Sequence, residues 1–113
     1  MSITVESHMK YLKGQVEVIG TIYQDKSPAI IIRMPNGEPG AKATINVNDK
    51  VALPNNAVVI KDYSENEGML DTLLAGKVIA LQGFTVDFSP IAYIIHDNIL
   101  QEIADAKERV NGR

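Results

Sequence analysis

Apolar residues recur along this chain with two different periods, and any fold it adopts has to house both. Through the first half the spacing is near two. Gln15-Val16-Glu17-Val18-Ile19 alternates polar and apolar, while Ala29 to Met34 and Ala57 to Lys61 are short apolar runs rich in β-branched residues. Such runs suit strands with one or both faces buried. Gly20, between Ile19 and the β-prone Thr21-Ile22-Tyr23, predicts a bulge or bend. Pro35-Asn36-Gly37-Glu38-Pro39-Gly40 is a dense turn signal, and the alternating Ala43 to Val47 after it predicts a hairpin. Val51 to Asn56, containing Pro54, reads as a connecting loop.

After residue 63 the period lengthens. Ser64 and Glu67 have the spacing at which two side chains can cap a helix start, and Met69, Leu70, Leu73 and Leu74 then share one helical face. Gly76 predicts a left-handed stop after about three turns, with Lys77 near the negative end of the dipole. Lys77 to Leu81 and Gly83 to Phe88 read as extended, Ser89-Pro90 as an interruption, and Ile91 to Ile95 as a further strand. In the last segment Asn98 and Gln101 can cap a helix whose stripe is Ile99, Ile103, Ala106 and Val110. That stripe fits either the chain's own sheet or a seam with a second copy.

The expected fold is therefore α+β: a mainly antiparallel sheet, one helix after Ser64, and a C-terminal helix used in self-association. Residues 1–113 form one domain, with a core over 9–95 and the terminal helix over 97–110. No cysteine is present, so neither disulfides nor a thiolate metal site can brace it. The net charge of −3 argues against a protein that holds duplex nucleic acid by neutralising phosphates. There is no secretory pattern at the start and no apolar run long enough to cross a bilayer, which places the chain in the cytoplasm and off the membrane.

Catalytic patterns are missing: the chain has no cysteine nucleophile, no Gly-x-Ser-x-Gly elbow and no His-Glu-x-x-His helix. Val78 follows Gly76-Lys77 where a phosphate loop needs Ser or Thr. His8 lies near the chain start and His96 beside the last helix, both read as surface or packing residues. Asp62, Glu65 and Glu67 are the densest acidic cluster, but a calcium loop starting at Asp62 would have Glu67 where glycine belongs and Leu73 where glutamate belongs. No enzyme, metal or cofactor is expected. Arg109 and Arg113, four residues apart, can share a helix face and grip a phosphate. The plainer alternative is that they complement the helix C-terminus, with Asp105 and Arg109 as a surface pair. Among the six aromatics, Phe84 and Phe88 are evenly spaced on an extended segment and would share one strand face, in the core or beside a pocket.

The segments Ala43 to Val47 and Val58 to Leu70, with Gly76 and Gly83-Phe84, resemble a family of small proteins carried by phages, prophages and plasmids. Its marker is the strand-to-helix junction Ile60-Lys61-Asp62-Tyr63-Ser64-Glu65-Asn66-Glu67-Gly68-Met69-Leu70, and the likeness spans roughly residues 29 to 95. With its helical C-terminus the chain also resembles the phage anti-Thoeris sponge proteins of the first type. That resemblance implies a non-enzymatic homodimer or higher oligomer that sequesters a cyclic ADP-ribose-type nucleotide between protomers. It implies Phe84, or Phe88 in its place, as the stacking ring, Asn98 as a polar contact, and Arg109 and Arg113 as phosphate and base contacts. A rival expectation is a mobile-element protein that inhibits a host protein by direct binding, through an acidic surface including Asp62, Glu65 and Glu67.

Overall fold

In the computed structural model, residues 3–47 and 50–111 are described. They form two four-stranded antiparallel sheets and two α-helices, an α+β fold that is mainly sheet. The first sheet runs in the order β1 (Ile3–Glu6), β2 (Gln15–Ile22), β3 (Pro28–Arg33), β4 (Pro39–Lys42). The second has the order β5 (Thr44–Ile45), β6 (Ala57–Ile60), β8 (Ser89–Ile94), β7 (Ile79–Val86). Helix α1 (Met69–Ala75) leads into β7, and α2 (Asp97–Asn111) follows β8.

One core joins these parts. Val16 and Val18 of β2, Ile30 and Ile32 of β3, Val58 and Ile60 of β6, and Ile94 of β8 are buried together with Met69 and Leu73 of α1. The alternation in β2 is read out directly, since Val18 pairs with Ile32 and Gly20 with Ile30 on the inward face. On the outward face Glu17 opposes Arg33, whose Nε donates to Glu17 Oε1 at 2.9 Å. β6 is buried at every position, as its unbroken apolar run requires. The paired region starts earlier than residue 9, because β1 adds a strand beside β2.

Several local expectations are corrected. Gly20 is not a bulge: the β2–β3 register passes through it without a shift. A Cβ there would lie 2.6 Å from the Ile99 carbonyl oxygen of α2, so the missing side chain is the footprint of a helix lying on the strand. Beyond the end of β1 the Gly20 N–H donates to Glu102 Oε1 at 2.9 Å, fastening α2 to β2. Ile99, Ile103 and Ala106 are thereby buried within the chain's own fold, while Val110 remains exposed. The strand returning after the Asn36-Gly37 turn is Pro39–Lys42, whereas Thr44–Ile45 crosses to the second sheet and pairs with β6. Glycine and proline in β4 erase the alternation that would have revealed it.

The Ser64/Glu67 cap does not form. Ser64–Asn66 is a single 3₁₀ turn, α1 is only seven residues long, and its first N–H groups are taken by a residue further back. Asp62 Oδ1 accepts from Gly68 N at 3.1 Å and Leu70 N at 2.9 Å. At the other end Gly76 is right-handed, and Lys77 takes the left-handed conformation with φ of 58°. For α2 the capping group is His96 rather than Asn98 or Gln101: the Asn98 N–H donates to His96 Nδ1 at 3.2 Å. Ser89-Pro90 does not interrupt but opens β8, with Pro90 just past the pairing to β6, where a missing N–H is tolerated. No helix among the described residues is long and apolar enough to cross a membrane.

Candidate functional site

Two features built from different elements stand out, and they share a wall, Ile45 to Val47. The first is the β7–β8 hairpin. The pairing of β7 with β8 is regular at Leu81–Ala92 and again at Thr85–Pro90, so β7 holds two residues more than its partner between them. Gly83, with φ of 84°, lies in this bulge. The bulged edge lifts Phe84 into solvent, 71% exposed.

Val86 pairs with Ser89, which leaves Asp87-Phe88 as a two-residue turn with φ of 50° and 69°. Both signs are those of a type I′ turn, which favours Asn-Gly or Asp-Gly because Cβ crowds the following carbonyl in the left-handed region, a penalty that glycine escapes and a short polar side chain offsets by local hydrogen bonding. A phenylalanine occupies the glycine position and is 100% exposed. Phe84 and Phe88 therefore do not share a strand face: one is in the bulge and the other at the tip. Beside the tip a cleft of about 500 Å³ is lined by Phe88, Tyr63, Lys50, Asp62, Asp87 and Pro90, among others. Lys50 Nζ reaches Asp87 Oδ2 at 3.4 Å.

The second feature is a polar cleft of about 200 Å³ where the β2–β3 turn, the segment after β5, the loop before β6 and α2 converge. The turn holds itself in shape. Asp25 Oδ1 accepts from Ser27 N at 3.0 Å and Ser27 Oγ at 2.5 Å, and Asp25 Oδ2 accepts from Asn46 Nδ2 at 3.1 Å. Lys26, left-handed with φ of 70°, donates from Nζ to Asn111 Oδ1 at the end of α2. Tyr23 places its hydroxyl 2.6 Å from Thr44 Oγ1, which also accepts from Ile30 N. Burial raises the Tyr23 phenol above the ordinary tyrosine value; the Thr44 hydrogen bond opposes this and the Asp25 carboxylate adds to it. Lys107 reaches the same cleft from α2 and makes no hydrogen bond or ion pair among the described residues.

The other expected contacts lie elsewhere. Arg109 borders an open depression with Asp105 and Glu108 and does not line the cleft beside Phe88. Asp105 accepts from Gln101 Nε2 at 2.9 Å and forms no ion pair with Arg109. Arg113 lies outside the described residues. Asn98 is half-buried at the start of α2 and lines neither cleft. Of the acidic cluster, Asp62 is engaged as the α1 cap and Glu65 pairs with Lys61. That pairing lowers the Glu65 carboxyl and raises the Lys61 ammonium from their ordinary values. Among the described residues no group of three or more His, Asp or Glu side chains is placed to hold a metal ion.

Sequence reasoning picked out the two phenylalanines by the scarcity of aromatics, but missed the polar cleft. Its members are separated by up to 84 positions, from Tyr23 to Lys107, and only the folded topology assembles them. The clustering of Asn46, Asn55 and Asn56 around a loop was the one available signal. No protein-family model, characterised protein or solved structure matches this chain.

Proposed function

We propose that this is a non-enzymatic binding protein of the cytoplasm that inhibits a host protein, with the β7–β8 hairpin as its contact element. The observation that carries this reading is Phe88: a bulky ring held left-handed and wholly in solvent. A left-handed non-glycine residue costs of order 1–2 kcal/mol. Full exposure also forgoes the roughly 1.5–3 kcal/mol that burying such a side chain supplies. Among the described residues the turn's one side-chain contact is Lys50 with Asp87, and none is made by the Phe88 ring, whereas an aromatic seated in a partner's pocket is a typical binding anchor. Phe84 and the half-exposed Tyr63 extend the surface beside it. The partner is accordingly a protein with an apolar pocket, contacted through the hairpin more than through the acidic cluster, whose charges are largely engaged within the chain.

A photo-reactive phenylalanine placed at Thr85 tests this in bacterial cells. The expected result is a discrete covalent adduct to one protein, lost when Phe88 is also changed to Ser. An adduct pattern indifferent to Phe88→Ser contradicts the reading.

A second reading, sequestration of a cyclic ADP-ribose-type nucleotide, is favoured by the size of the cleft beside Phe88 and Tyr63. In one chain that cleft holds Lys50 but also Asp62 and Asp87, so the guanidinium groups would come from a second copy. Equilibrium dialysis with cyclic ADP-ribose separates the readings. Depletion reversed by heating, and weakened by Arg109→Gln, supports sequestration; no depletion leaves the hairpin contact as the function.

A further inference from the structure

We infer that the polar cleft between the β2–β3 turn and α2 binds a small hydroxylated organic anion, of the class of sugar phosphates and sugar acids. This goes beyond both functional readings and, apart from the shared wall at Ile45 to Val47, rests on different residues. The cleft is preformed, because Asp25 and Ser27 lock the turn, Asn46 joins it to the segment after β5, and Lys26 ties it to the end of α2. Its volume of about 200 Å³ equals roughly six or seven waters at about 30 Å³ each, the space of a single sugar ring with one substituent.

Charge selects the sign of the ligand. Among the described lining residues Lys26 and Lys107 accompany one carboxylate, Asp25, so this lining is cationic in a chain of net charge −3. Asp25 already accepts three hydrogen bonds, which directs it to holding the wall and not to binding a cation. Lys107 is the charge left to meet a ligand, half-buried and with no protein partner among the described residues. Around it the Asn55 and Asn56 amides supply both donors and acceptors, the pattern that hydroxyl groups require. Pro28, Ile45 and Leu53 give the apolar floor on which a sugar ring can lie.

Amide-resolved NMR titration of the full chain with ribose 5-phosphate, gluconate, ribose and inorganic phosphate tests the assignment. The expected result is saturable shifts confined to residues 23–27, 45–47, 53, 55–57 and 107 with ribose 5-phosphate or gluconate, the tighter of the two naming phosphate or carboxylate as the anionic group. Lys107→Gln, with an otherwise unchanged spectrum, should weaken that binding about tenfold or more, as loss of a charge-assisted contact does. The assignment is overturned if neither anion shifts these residues at millimolar concentration, or if Lys107→Gln binds unchanged. It is also overturned if ribose or inorganic phosphate alone binds as well as the complete ligand.

Discussion

The two hairpins of this protein solve the same geometric problem in opposite ways. Each reverses an antiparallel pair, and each places non-glycine backbone in the left-handed region, Lys26 in one and Asp87 with Phe88 in the other. In the β2–β3 hairpin the strain is repaid locally: Lys26 bonds to Asn111, Asp25 gathers three donors, and the strand below lies under α2. In the β7–β8 hairpin Lys50 reaches Asp87, but the Phe88 ring stays fully exposed among the described residues, and the bulge behind carries a second ring into water. Left-handed backbone thus marks a structural device where side chains answer it and an outward-facing device where they do not.

The contrast can be broken most forcefully at Gly20. Gly20→Ala pushes a methyl against the Ile99 carbonyl and should destabilise the fold by about 3 kcal/mol, the upper end for overpacking, as a lower urea midpoint. A cost near zero would mean that α2 is not seated on β2. Next, Asp25→Ala removes the acceptor of three hydrogen bonds and should cost about 2 kcal/mol. Amide exchange should then quicken in residues 23–27 and stay unchanged at 87–88, because only the first hairpin depends on such a brace.

A smaller effect sharpens the picture through pH. The folded-state phenol of Tyr23 is raised above its ordinary value of 10.0, so its contribution is complete below about pH 10 and is lost as pH climbs through the folded value. Tyr23→Phe should flatten that alkaline loss while costing about 1 kcal/mol at neutral pH for the hydroxyl contact with Thr44. Stability curves for the two proteins that stay parallel above pH 10 would contradict the burial of this phenol.

Periodicity made most of this legible. Alternation in Gln15–Ile19, apolar runs at residues 29–34, 57–61 and 91–95, and the four-three-four stripe from Ile99 to Val110 each correspond to an element of the fold. What escaped was decided by distant partners. The cap of α1 comes from Asp62, outside the Ser64-x-x-Glu67 motif, and the role of Gly20 depends on a helix some 80 positions later. The candidate site divides the same way. Phe84 and Phe88 could be singled out from composition, but their exposure follows from a bulge and a turn that local pattern did not register, and the polar cleft exists only after four segments meet.

The central claim is that Phe88 faces outward at the expense of the fold, and urea unfolding of Phe88→Gly addresses it without knowledge of any partner. Glycine at the second turn position should raise the midpoint, by about 1 kcal/mol of stability with an unchanged slope. A lowered midpoint would show that the ring holds the hairpin together from within, and the outward-facing role would have to be abandoned.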